Sequence, residues 1–171
     1  MTYPDVFYEP FNGVHPGMTP PTNLGWRYPD TDVPLMVYIA VSAYPTPSEP
    51  CPRDRQWSLL WEQGVAIRGC QMITVARFLE ARQAAGCEHY TYWGPVTRAA
   101  SLEGARLIPV ATLSMADRRA LEKLAGGIRV MKPNGWWNCQ NWVVQLLRRA
   151  ADEDIITAKE RDTAIYSAAE P

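Results

Sequence analysis

Proline crowds the front of this chain: 11 of its 15 prolines stand at positions 4, 10, 16, 20, 21, 29, 34, 45, 47, 50 and 52. Each fixes φ and removes a backbone donor, so residues 1–34 form neither a helix nor a central strand. Yet Tyr3, Val6, Phe7, Tyr8, Phe11, Leu24, Trp26 and Tyr28 recur through that stretch. A flexible tail seldom carries so many apolar side chains. Residues 1–34 are therefore expected to be an extended arm laid against a domain of residues 35–171, over a groove; a partly ordered terminus is the alternative.

Behind the arm, Leu35–Val41 is β-branched and aromatic, is preceded by Pro34, and reads as a buried strand. Residues 43–55 read as a proline-rich loop. Trp57–Glu62 and Val65–Arg68 read as two strands joined at Gln63-Gly64, with glycine supplying positive φ. The spacing of Ile73, Ala76, Phe78 and Leu79 predicts a helix over 72–85, ending at Gly86. Glu88–Trp93 reads as a strand and Arg106–Val110 as a short edge strand.

The C-terminal half is helical in pattern. Ser114 is a predicted N-cap, followed by Leu121, Leu124 and Ala125 on one face and stopped at Gly126-Gly127. Asn138 is the next N-cap. Behind it Cys139, Trp142, Val143, Leu146, Leu147 and Ala150 form an unbroken apolar stripe. Thr157 and Glu160 have capping-box spacing, which predicts a last short helix. Strands first and helices later define an α+β domain: a small antiparallel sheet packed against C-terminal helices.

Composition narrows the function. With 17 basic and 18 acidic residues the net charge is -1, which lacks the basic field that nucleic-acid binding requires. The longest apolar run, Leu35–Val41, is far shorter than the ~20 residues of a membrane helix. No basic segment leads into an apolar run near Met1, so a cytoplasmic protein is expected. The cysteines at 51, 70, 87 and 139 include no CxxC pair, and His15 and His89 are the only histidines. Neither a metal site nor a disulfide framework is expected, and no cofactor is implied.

Cys139 then carries the chemistry. In the first turn of an amphipathic helix, unpaired N–H groups and the helix dipole favour an anion, which lowers a thiol pKa and supplies oxyanion donors. Against this stands its place in the apolar stripe, where free cysteine serves as a small hydrophobe.

The string Trp136-Trp-Asn-Cys-Gln-Asn-Trp142, with Arg55-Gln-Trp-Ser-Leu59 earlier, resembles a group of fungal proteins. That group carries a WNCQ(D/N)W helix and an RHW(A/S)L strand. The resemblance spans roughly residues 35–157. More distantly, the order resembles the circularly permuted papain-like thiol hydrolases of the NlpC and lecithin-retinol-acyltransferase kind. There a histidine on an early strand precedes a cysteine at the start of a later helix. The resemblance implies a permuted papain-like fold with Cys139 as nucleophile.

This chain departs from the pattern at the base, carrying Gln56 where the strand motif has histidine. A glutamine amide accepts no proton near neutral pH. His89 is the candidate replacement and His15, in a proline-glycine loop, a weaker one. Gln56 would then serve as a donor to a carbonyl, joined by Gln140 and Asn141, while Trp57, Trp93, Trp136 and Trp137 line a substrate pocket. The expected function is acyl transfer on a small molecule, with lactone or pyrone formation or hydrolysis in fungal polyketide metabolism. Two rivals stand beside it: a catalytically dead papain-like binding domain, and a cyclase or isomerase that uses the pocket without covalency.

Overall fold

The computed structural model describes residues 7–45, 48 and 50–171. It is α+β. Among the described residues seven strands run β1 (Leu35–Val41), β2 (Trp57–Arg68), β3 (Gln71–Leu79), β4 (Arg82–Gln83), β5 (Tyr90–Thr91), β6 (Val96–Ala99) and β7 (Arg106–Leu113). Three α-helices follow in the described residues: α1 (Met115–Gly126), α2 (Cys139–Asp152) and α3 (Ala158–Ala169). The main sheet has the order β6-β3-β2-β1-β7, every neighbour antiparallel, and β4 pairs with β5 in a separate ribbon.

Strand alternation divides the sheet into two faces. Ile39, Trp57, Leu59, Trp61 and Leu79 point toward the helices and join Trp142, Val143, Leu146 and Leu147 of the α2 stripe in the main core. Ala40, Leu60, Ala76 and Phe78 point the other way, into a smaller cluster closed by Ala100. The caps at Ser114, Asn138 and Thr157 form as the sequence predicts, the latter two as full capping boxes.

Two expectations fail. Residues 71–79 are a strand, not the start of a helix over 72–85, because pairing with β2 from Leu59↔Leu79 to Arg68↔Gln71 outweighs the helical spacing. The Gln63-Gly64 pair is no hairpin turn either: β2 runs through it with a register shift between Glu62 and Gly64, and the chain reverses at Gly69 instead. Gly64 answers to a different demand, since a Cβ there would lie 3.1 Å from the ring of Tyr28.

The described part of the arm is threaded along the domain. Glu9 N–H donates to Val130 O (2.8 Å), Lys132 N–H to Phe7 O (2.9 Å), Tyr92 N–H to Asn12 O (2.9 Å) and Leu24 N–H to Thr97 O (2.7 Å). Gly13, at φ 83°, comes so close to β5 that an added Cβ would lie 2.1 Å from Tyr90 O. Tyr3 and Val6 of the predicted arm lie outside the described residues. No helix among those described is long and apolar enough to cross a membrane.

Candidate functional site

The capped start of α2 meets the chain just before β2 and the β4–β5 ribbon around a groove of about 520 Å³. Cys139, Gln56, Tyr90, Trp136 and Trp137 line it, with Arg53, Asp54, Gln83 and Glu88 toward its mouth. Asn138 caps the helix by accepting from the N–H groups of Gln140 and Asn141, and its amide donates to Arg53 O at 2.9 Å. Arg53 returns the tie, donating to Trp136 O and to Asn141 Oδ1. The loop before α2 is held from within, because Asn134 Oδ1 accepts from the N–H of both Trp136 and Trp137.

The thiol is locked in place. Cys139 is 3% exposed; its sulfur accepts from Trp57 N–H at 3.5 Å and faces Arg55 O at 3.7 Å. Burial pushes the thiol up to about 11, against the pull of the Trp57 and Gln140 N–H groups. The expected lowering by the helix terminus is thus reversed: desolvation of the sulfur exceeds what the N–H groups return.

The other predicted residues separate. Gln56 reaches the groove, but its amide nitrogen is committed to Trp57 O (2.9 Å) and Ala81 O (3.0 Å). Gln140 donates to Pro52 O and Arg55 O, and Asn141 closes the capping box; both tie α2 to the loop before β2. Trp57 lies in the core, offering the thiol only its backbone. Trp93 lines a different cavity.

His89 turns away from the thiol. Its Nε2 bonds Gly13 O at 3.0 Å, and its ring stacks on His15 at 4.2 Å between centroids. His15 in turn meets the carboxylate of Glu9 at 3.0 Å. Both histidines therefore fasten the arm to β5, and neither lines the groove.

Tyr90 is the residue sequence reasoning missed. Its ring meets Trp137 edge to face at 5.7 Å, and it lines the groove beside Cys139. Burial and the neighbouring thiol raise its pKa above the ordinary phenol value, so it remains a neutral donor at physiological pH. Period-two alternation was the available signal: Glu88 and Tyr90 share a face that His89 does not.

Among the described residues no group of three or more His, Cys, Asp or Glu side chains is placed to hold a metal. Compared with protein-family models, curated proteins and solved structures, the chain finds no match.

Proposed function

We propose that the groove beside Cys139 binds a flat small molecule bearing a conjugated carbonyl, of the lactone or pyrone kind, and polarises it without covalent attack. The observation that carries this reading is Tyr90, half-buried on the groove wall with Cys139 and packed edge to face on Trp137, where its phenol is a neutral donor. A phenol donating in a partly desolvated groove polarises a carbonyl bound to it, drawing that carbonyl toward its enol. Trp136 is 58% exposed at the rim and Trp137 forms a wall beside Tyr90, giving flat surfaces for a ring. Cys139 is the floor of such a site, its proton retained.

Coumarin tests the reading, with naphthalene as the ring that lacks the carbonyl. Tyr90→Phe should weaken coumarin binding about tenfold and leave naphthalene unchanged, while Cys139→Ala leaves both unchanged. Equal coumarin affinity in Tyr90→Phe and the unmodified protein overturns it.

A second reading, acyl transfer by a permuted papain-like enzyme, is supported by one observation: Cys139 opens α2 on the groove wall. It requires the Cys139 sulfur to attack an acyl carbonyl, expel the leaving thiol and hand its proton to that thiol, with no imidazole at hand. A mass increment of the acyl group on Cys139, after incubation with an acyl-N-acetylcysteamine thioester, decides for this reading.

A further inference from the structure

A second cavity, of about 360 Å³, lies on the other side of the β4–β5 ribbon from most of the groove. That volume is within the range that encloses a small ligand. Its floor is the cross-strand pair Phe78 and Val96, Trp93 forms a wall, and Thr19 and Pro21 of the arm close one side. An apolar chamber of this shape accepts a ring or a short acyl chain.

The charges around it do not balance. Glu80, Arg82 and Arg98 are the ionised side chains on the lining. Arg98 lies over the Phe78 ring at 3.8 Å and pairs with Glu80 at 2.9 Å. The other Glu80 oxygen accepts from Ser58 Oγ at 2.7 Å, so that carboxylate is fully engaged. Arg82 is fixed only through its backbone, opposite Thr91. Its guanidinium has no ion-pair or hydrogen-bond partner among the described residues, which leaves one uncompensated positive charge on the rim. Such a planar fork matches a carboxylate.

We propose that this cavity is a binding site for a small carboxylate with an apolar body, its ring or chain between Phe78, Val96 and Trp93 and its carboxylate on Arg82. The site uses residues distinct from Tyr90 and Cys139 and stands independently of the function proposed for the groove. Because Thr19 and Pro21 belong to the arm, a bound acid also contacts the arm and is enclosed by it.

Benzoate is the probe, with benzyl alcohol and acetate as the forms that lack the charge and the ring. Binding is followed by heteronuclear NMR on the full chain, reading the Trp93 indole and the Arg82 amide. Saturable benzoate binding at millimolar concentration is expected, weakened about tenfold in Arg82→Gln, partly retained in Arg82→Lys, and unchanged in Tyr90→Phe. Benzyl alcohol and acetate should each bind at least tenfold more weakly than benzoate. Arg82 is exposed, so its replacement leaves the fold intact, and an unchanged spectrum away from the cavity verifies that. The proposal is overturned by no saturable benzoate binding, by equal affinity in Arg82→Gln, or by benzyl alcohol binding as tightly as benzoate. Loss of benzoate binding in Tyr90→Phe would instead place the acid in the groove and also overturn it.

Discussion

The sulfur of Cys139 lies 3.5 Å from the main-chain nitrogen of Trp57, a residue 82 positions earlier, and the N–H between them points at the sulfur. This contact joins the first turn of α2 to the first residue of β2, where the buried sheet face begins. It gives the sulfur a fixed acceptor role, while its S–H donates to the Arg55 carbonyl at 3.7 Å. A side chain satisfied on both sides and shielded from water behaves as a packing group with a polar seam, even though it borders a groove.

Thiol reactivity should follow that burial. Because the thiol is pushed up to about 11, its ionised fraction at pH 7 is on the order of 10⁻⁴. Iodoacetamide at neutral pH should modify the exposed Cys51 and Cys70 readily and leave Cys139 unmodified until the protein is denatured. Peptide mass spectrometry reads this directly. Native labelling of Cys139 at the rate of Cys70 contradicts the buried, protonated state.

The same shift has a stability consequence. In the unfolded chain the thiol loses its proton near its ordinary value of 9.0, whereas the folded thiol keeps it up to about 11. The unfolded state therefore binds fewer protons across that interval, and stability falls as pH rises through it. The contribution is complete below pH 9 and lost by pH 11, amounting to at most about 2–3 kcal/mol. Urea unfolding between neutral and alkaline pH should show a steeper decline for the unmodified protein than for Cys139→Ala. Parallel declines would mean that the thiol titrates alike in both states.

Asn138 holds the other end of this joint. Its Oδ1 accepts from two N–H groups of α2 and its Nδ2 donates to Arg53 O. Asn138→Ala removes the cap and leaves those groups unpaired in a largely buried corner, which should cost about 1–2 kcal/mol in urea unfolding. Asn138→Asp retains the cap and adds a charge favoured at a helix start, but loses the donor to Arg53 O, so it should fall between the two. An Asp variant no better than Ala would show that the Arg53 contact, rather than the cap, carries the effect.

The helices were legible because their signals are local. Ser114, Asn138 and Thr157 cap where the residue types say they should, and the apolar stripe from Cys139 to Ala150 is buried as its period requires. β3 was not legible, since Ile73, Ala76, Phe78 and Leu79 satisfy a helical spacing as well as a strand's, and only the long pairing with β2 decides between them. The groove was half legible. Cys139, Gln56, Trp136 and Trp137 meet there, whereas His89 has the right chemistry for a base but strand alternation turns it toward the arm. Tyr90, one position on, faces the thiol. The thiol's raised pKa was beyond a sequence argument, because the helix start is visible in residues and the covering of the sulfur by β2 is not.

Arg118 offers the strictest test of how the arm is held. It lies on α1, is fully buried, and pairs with Asp30 through two bonds, Nε–Oδ2 at 3.1 Å and Nη2–Oδ1 at 2.8 Å. The guanidinium also donates to the carbonyls of Thr31 (2.7 Å), Val33 (2.9 Å) and Leu113 (2.7 Å). Three of these partners precede β1, so this one side chain fastens the end of the arm to the helical layer. Arg118→Ala strands the Asp30 carboxylate and three carbonyls together, a change expected to cost about 3–5 kcal/mol. Arg118→Lys should recover little, because an ammonium cannot reproduce the fork that reaches all four acceptors. Joining Asp30→Ala to Arg118→Ala should cost less than the two single losses added, since removing both charges leaves neither unpaired. Limited proteolysis separates local from global effects: Asp30→Ala should expose cleavage between residues 27 and 34 while residues 35–171 stay resistant. Additive losses in the double variant, with no new cleavage in the arm, would mean that Arg118 stabilises α1 alone.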